Sequence, residues 1–323
     1  MSESGEILLQ AQSLGKSFGE TRAVDDVSFQ VRAGQVLGLL GPNGAGKTTT
    51  IKMLTTLLSI DTGIARVGGY DVAEQPDVIR QLIGVAGQGA AVDEKLTARE
   101  NLELFGRLYK LSPQVRRQQV DALIERFDMG SFADRPAGTY SGGQRRRLDV
   151  AAALVAEPPV LLLDEPTTGL DPRSRADLWS AIRTLADHGT AILLTTQYLE
   201  EADQLADYVL IIDEGRVTAE GTPERLKKDL EQDVLRVQLE RDDELAAAMT
   251  ILAGDGRTVV ADPATPRTLQ VTVGADPALA LQLLRSLQDD GIAISDFQLR
   301  RPTLDDVFLA LTASAAPHKE SAK

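Results

Sequence analysis

Cysteine is absent from all 323 residues. That excludes disulfides and thiolate metal sites, and it fits a reducing compartment. Long apolar runs are missing too, since no uninterrupted stretch approaches the ~18 residues that read as a membrane span. The longest candidate, Val150 to Leu163, is broken by Glu157-Pro158-Pro159. Met1 to Glu6 has none of the basic or apolar character of a signal peptide. These absences together lead to the expectation of a soluble cytoplasmic chain. Positive charge is in short supply, with 34 Lys and Arg against 48 Asp and Glu and a net charge of −14. Nucleic-acid binding rests on phosphate neutralisation by Lys and Arg, so nucleic acid is not expected as a partner. The one basic cluster, Arg145-Arg146-Arg147, fans around more than half of a helix circumference and reads as a solvated or interface-facing run. The rest of the composition, 43% hydrophobic and 25% charged, is that of a globular protein. The length suggests about two domains.

Short strands alternate with helical patterns through the first 230 residues. Ile7–Gln12, Val27–Val31, Val36–Leu40, Leu82–Ala86, Val160–Leu163, Ala191–Thr195 and Tyr208–Ile212 read as strands. The later ones are continuous apolar runs, as in a sheet covered on both faces. Thr97 and Glu100 form a capping box, Leu102, Phe105 and Leu108 repeat at helical spacing, and Ser112-Pro113 opens a second helix. Residues 97–135 are therefore a helical insertion in an α/β domain. Beyond a charged stretch from Glu224 to Asp233 the pattern restarts. Strand-like Val234–Leu239, Arg257–Val260, Thr268–Val273 and Ile292–Leu299 are interleaved with helical Asp243–Ala253 and Pro277–Gln288. This β-α-β-β-α-β order, followed by a short helix Leu304–Leu311, suggests a small split βαβ domain.

The strongest local signal is Gly41-Pro42-Asn43-Gly44-Ala45-Gly46-Lys47-Thr48-Thr49. It follows the strand-like Val36–Leu40 and precedes the helical Ile51-Lys52-Met53-Leu54. A strand, a glycine loop and a helix start in that order make a phosphate cradle. The glycines let successive N–H groups point inward, and the helix N-terminus favours the same anion. Lys47 is placed to reach the β- and γ-phosphates of a nucleotide and the Thr48 hydroxyl to hold Mg²⁺.

Two further motifs narrow the chemistry. Val160 to Leu163 is a buried strand ending in Asp164-Glu165-Pro166. Asp164 suits the metal shell, and Glu165 lies where it can polarise a water attacking the γ-phosphate. Tyr140-Ser141-Gly142-Gly143-Gln144 opens a helix with a hydroxyl and two unobstructed N–H groups. Ser141 comes 100 residues after Gly41 and 23 before Asp164.

In this order and spacing, the glycine loop (a Walker A motif), Ser-Gly-Gly-Gln and Leu-Leu-Leu-Asp-Glu-Pro resemble the ATP-binding subunits of ABC transporters, over roughly residues 6–225. The resemblance implies ATP and Mg²⁺ as ligands. It matches Gln88 to the glutamine that contacts Mg²⁺ and water, and Gly169-Leu170-Asp171-Pro172 to the loop that crosses to the partner subunit. Phe18 falls where the family stacks an aromatic on adenine, with a half-buried Phe as the plain alternative. Ser141, Gly142 and Gly143 would grip the γ-phosphate of ATP held by a second copy, in a head-to-tail dimer. One departure stands out: the position after the last core strand, usually His, is Gln197. Gln197 can donate a hydrogen bond to phosphate but cannot titrate near neutral pH. Neither His188, in a turn, nor His318, in the tail, can replace that histidine.

Gln197 together with Leu304-Asp305-Asp306-Val307-Phe308-Leu309 resembles the daunorubicin-resistance branch of drug-export ATPases. The expected fold is α/β: a nucleotide-binding domain over 6–230 with a helical subdomain at about 89–158, then a small α+β C-terminal domain over 234–312. A flexible tail over 313–323 is expected to follow. The C-terminal domain carries no catalytic signal; Leu304, Val307, Phe308 and Leu311 make an apolar stripe read as internal packing. The resemblance implies an ATP-hydrolysing motor of a multidrug exporter, working as a homodimer. It would sit on the cytoplasmic face of the membrane, attached through a separate permease subunit. A soluble regulatory ATPase of the same superfamily, not coupled to transport, is the alternative.

Overall fold

The computed structural model describes residues 5–87, 92–230, 233–254, 257–262, 265–274, 277–300 and 302–308. Gln88, Leu311, His318 and the expected tail lie outside the described residues. The chain forms two compact units, residues 1–223 and 224–323.

In the first unit, β1 (Ile7–Phe18) and β2 (Thr21–Arg32) form a long hairpin, followed by β3 (Val36–Leu40) and α1 (Lys47–Leu54). Next come β4 (Thr62–Val67), β5 (Tyr70–Asp71), α2 (Pro76–Leu82) and β6 (Ile83–Ala86). The helices α3 (Ala98–Leu108), α4 (Pro113–Arg126) and α5 (Gly142–Ala153) are then followed by β7 (Val160–Asp164) and α6 (Pro172–Asp187). The unit closes with β8 (Ala191–Thr196), α7 (Leu199–Leu205), β9 (Tyr208–Asp213), β10 (Arg216–Gly221) and the start of α8 (Pro223–Asp229). Two sheets result. One is antiparallel with order β2-β1-β4-β5; the other has order β10-β9-β3-β8-β7-β6 and is parallel except for the β9–β10 hairpin.

Every residue of β3, β7 and β8 is buried, which is why these strands are continuously apolar rather than alternating. Their side chains divide by pleat. Leu161, Leu163, Ile192 and Leu194 join a core with Leu102, Leu123, Leu148 and Leu178 from the helices. Val160, Leu162, Leu37, Leu39 and Leu193 face a second core with Leu9, Val27, Phe29 and Met53. At about 1.5–3 kcal/mol per buried large apolar side chain, these two cores fix the sheet that carries the site. The capping box at the start of α3 forms as the sequence indicates, with Thr97 accepting from the Glu100 N–H and Glu100 accepting from the Thr97 N–H. Ser112 caps α4, whose first residue is Pro113.

Three details depart from the sequence reading. Leu82 ends α2 instead of starting β6, because α2 runs into the strand with no intervening turn. β1 continues past Gln12 to Phe18 through several irregularities in its pairing with β2, which break the alternation that periodicity depends on. β4, β5 and β10 were not foreseen; they are short or edge strands whose charged and half-buried residues hide the apolar pattern.

The second unit is an antiparallel sheet built from β11 (Val234–Leu239), β12 (Val259–Ala261), β13 (Thr268–Thr272) and β14 (Ile294–Arg300), in the order β12-β13-β11-β14. The helices α9 (Leu245–Leu252) and α10 (Pro277–Asp289) provide its crossovers, which is the split βαβ arrangement. Leu235, Val237, Leu239, Leu252, Leu269, Val271, Leu283 and Leu287 form its core. Residues 304–308 are helical, with Leu304 and Val307 buried.

Candidate active site

The carboxyl ends of β3, β7 and β8 lie side by side, the place where open α/β sheets bind ligands. The loop after β3 is shaped by its glycines. Gly46 holds φ at +104°, and a Cβ there would sit 2.4 Å from the Ala23 carbonyl oxygen. A Cβ at Gly41 would sit 2.1 Å from the Ile212 carbonyl. The loop is thus pressed from behind against β2 and β9, while Pro42, Asn43 and Gly44 stay exposed in front. Ala45 is buried, and Thr48 and Thr49 are half-buried at the start of α1.

Lys47 is buried, and its Nζ donates to the carbonyls of Gly41 (2.7 Å) and Pro42 (3.0 Å). Burial pushes its pKa down, while Glu165 and then Asp164 act in the opposite direction. An ammonium has three donors, so a third acceptor on the open side of the loop fits it. Asp164, buried at the end of β7, accepts at Oδ1 from the Thr195 hydroxyl (2.5 Å) and the Thr48 hydroxyl (3.3 Å). A carboxylate and a hydroxyl converging in this way are hard oxygen ligands suited to Mg²⁺. Glu165 follows with φ at +49°, unusual for a residue with a side chain. Its N–H donates to the Thr195 carbonyl (3.0 Å) and hydroxyl (3.2 Å), and Oε2 accepts from the Thr168 hydroxyl (3.3 Å). Gln197 is exposed, one residue beyond the end of β8. Phe18 is 49% exposed at the end of β1, with Lys16 Nζ 5.8 Å from its ring centroid.

A second cluster surrounds Ser141, which caps α5 and shares a capping box with Gln144. Its hydroxyl accepts from the Gln144 N–H at 3.3 Å. A Cβ at Gly143 would lie 2.4 Å from Ser174 Oγ, and Gly142 is exposed. Asp171 caps α6, accepting from the Ser174 N–H (3.0 Å) and hydroxyl (2.6 Å). These two bonds hold its carboxyl below the usual range. Ser174 thus joins Asp171 to Gly143. Among the described residues no hydrogen bond links Ser141, Gly142 or Gly143 to the loop Gly41–Thr49.

The basic run is half-buried rather than simply solvated. Arg145 pairs with Glu94 at 2.7 Å and Arg147 with Asp177 at 2.5 Å. Arg146 turns inward and donates to three carbonyls: Pro166 (2.6 Å), Gly87 (2.5 Å) and Asp164 (3.2 Å). Burial lowers its pKa, opposed first by Asp149. Sequence reasoning missed this residue. The phase of α5 carries the signal, because Arg146 falls on the same stripe as Gly143 and Val150, both buried.

A largely parallel sheet with a glycine loop feeding α1, and with a lysine, a hydroxyl and a carboxylate converging at its mouth, defines a P-loop nucleotide-binding protein. The ABC transporter family matches residues 24–168, and the family described as "ATP-binding protein DrrA1-3-like, C-terminal domain" matches residues 221–312. A daunorubicin resistance ATP-binding protein of Streptomyces coeruleorubidus is 49% identical over 308 residues, which cover 95% of this chain and 96% of the relative. The daunorubicin/doxorubicin resistance ATP-binding protein of Streptomyces peucetius is 47% identical over 313 residues, covering 97% and 94%. Among solved structures, an ATP-binding subunit of an ABC transporter aligns with TM-score 0.63 at 30% identity, covering 69% of this chain and 93% of that one. This chain belongs to the ABC transporter family, as one of its ATP-binding proteins.

Proposed function

We propose that this protein hydrolyses ATP to drive a drug exporter. In this reading residues 6–230 bind nucleotide and residues 234–312 form an accessory domain. The observation that carries it is the convergence of Lys47, Thr48, Asp164 and Glu165 at one sheet mouth, with Ser141–Gly143 in a separate cluster. Each cluster is half of a site, and a second copy arranged head to tail completes both.

Phe18 stacks on adenine, and the N–H groups of Gly41–Thr49 bind the phosphates together with Lys47. Thr48 and Asp164 hold Mg²⁺, with Gln88 as a further ligand. The ion held there would supply positive charge to the phosphates. Glu165 accepts the proton of the attacking water at its carboxylate. Gln197 donates a hydrogen bond to a γ-phosphate oxygen without exchanging a proton. Ser141, Gly142 and Gly143 approach the γ-phosphate of the ATP on the second copy, with Asp171 bracing that contact.

Among the described residues no helix is long and apolar enough to cross a membrane. The pore is assigned to a separate integral-membrane permease subunit, which holds this chain at the cytoplasmic face. The names of the relatives support drug-like molecules as the cargo. The test is Glu165→Gln, in which glutamine cannot accept the proton. Phosphate release is expected to fall about 10²–10⁴-fold, the usual cost of losing a general base, with MgATP binding retained. Turnover at the unmutated rate would show that another group activates the water.

A further inference from the structure

Arg146 is half-buried, with its guanidinium turned inward, and even partial burial of that group is costly. A guanidinium withdrawn from water is tolerated only when its N–H groups are satisfied, and an apolar side chain of similar volume is often as stable or more so. Among the described residues none of its hydrogen-bond acceptors is a carboxylate. Nε and the two terminal nitrogens go instead to the main-chain carbonyls of Pro166, Gly87 and Asp164. The charge is balanced at longer range, by Asp149 foremost and then by Glu201 and Asp164. The three carbonyls are not scattered. Asp164 O belongs to the peptide that leads into Glu165, Pro166 O lies just beyond Glu165, and Gly87 O belongs to the peptide that leads into Gln88.

We infer that Arg146 is a positioning residue that holds the main chain on both sides of Glu165, and the peptide before Gln88, against helix α5. Glu165 needs such a hold. Its φ of +49° is a sparsely populated conformation that persists only where the surroundings fix it. From one side Thr195 fixes it through the Glu165 N–H; Arg146 supplies the opposite side. The guanidinium is the group suited to this, because its planar fork presents several donors in fixed directions, which a lysine ammonium cannot reproduce.

The same helix begins at Ser141-Gly142-Gly143. Arg146 is five residues along it, about 7.5 Å at 1.5 Å per residue. This part of the inference rests on the reading that those residues touch the ATP of a second copy. Helix α5 then ties the segment facing one site to the main chain around the carboxylate of the other.

The experiment uses the full chain with Arg146→Lys and Arg146→Gln, read by steady-state ATP hydrolysis and by amide hydrogen exchange without nucleotide. Both variants are expected to lose kcat by up to about 10²-fold, the scale of a small misplacement of the reacting groups, with KM little changed. Exchange is expected to quicken in peptides over 83–87 and 164–168 and to stay unchanged in the second unit. Three results would overturn the inference: unchanged exchange in those peptides, unchanged kcat, or full recovery of kcat in the lysine variant. If the unmutated chain released no phosphate, the proposed function would fail, and the exchange measurement would still decide whether Arg146 holds these peptides.

Discussion

Asp149 sits one turn beyond Arg146 on α5, with its Oδ1 buried and, among the described residues, without a hydrogen-bond partner. Burial pushes its carboxyl up from 3.8 to about 6, against the pull of Arg146 and Arg145. Between those two values the folded chain holds the proton more tightly than the unfolded one, so this group's contribution to stability falls as pH rises through the window. Above about pH 6 the penalty is complete. Asp149→Asn is therefore expected to gain stability relative to the unmutated chain at pH 7 compared with pH 4.5, measured by urea unfolding. A difference independent of pH would contradict the burial argument. At this scale the sequence revealed the residues whose chemistry is tied to a motif, namely Lys47, Thr48, Asp164 and Glu165. Arg146 and Asp149 stayed hidden because their role depends on which way α5 faces, and nothing in a run of three arginines says so.

The loop between β3 and α1 shows how an element is made by what it packs against. Gly46 combines a left-handed backbone with a carbonyl where its Cβ would be. Gly46→Ala must therefore shift the loop or strain it, a cost of about 1–3 kcal/mol. MgATP affinity, measured by titration calorimetry, is expected to drop at least about tenfold, the equivalent of about 1.4 kcal/mol. Unaltered affinity would mean that the loop does not cradle phosphate. The strands that support this loop were legible because β3, β7 and β8 are buried on both faces and so read as unbroken apolar runs. The start of α3 was legible because Thr97 and Glu100 make a specific cap. The β4–β5 and β9–β10 hairpins were not read as such: β5 is two residues long, and β10 alternates exposed polar with half-buried residues at a sheet edge. Turn geometry, not periodicity, creates them.

For the whole molecule the chain presents two compact units. The first carries every residue of the candidate site; the second is a split βαβ sheet with its own apolar core. Its order was readable because two β-α-β patterns recur in sequence, while the pairing of β11 between β13 and β14 follows from crossover geometry. The central claim is that one chain holds half of each of two ATP sites, so that ATP joins two copies. Glu165→Gln, expected to slow the loss of bound ATP, tests this directly when its mass in solution is measured by light scattering with MgATP, with MgADP and without nucleotide. The expected result is twice the chain mass of 34.7 kDa with MgATP and a single chain in the other two conditions. A single chain at saturating MgATP, with binding verified, would contradict the shared-site account.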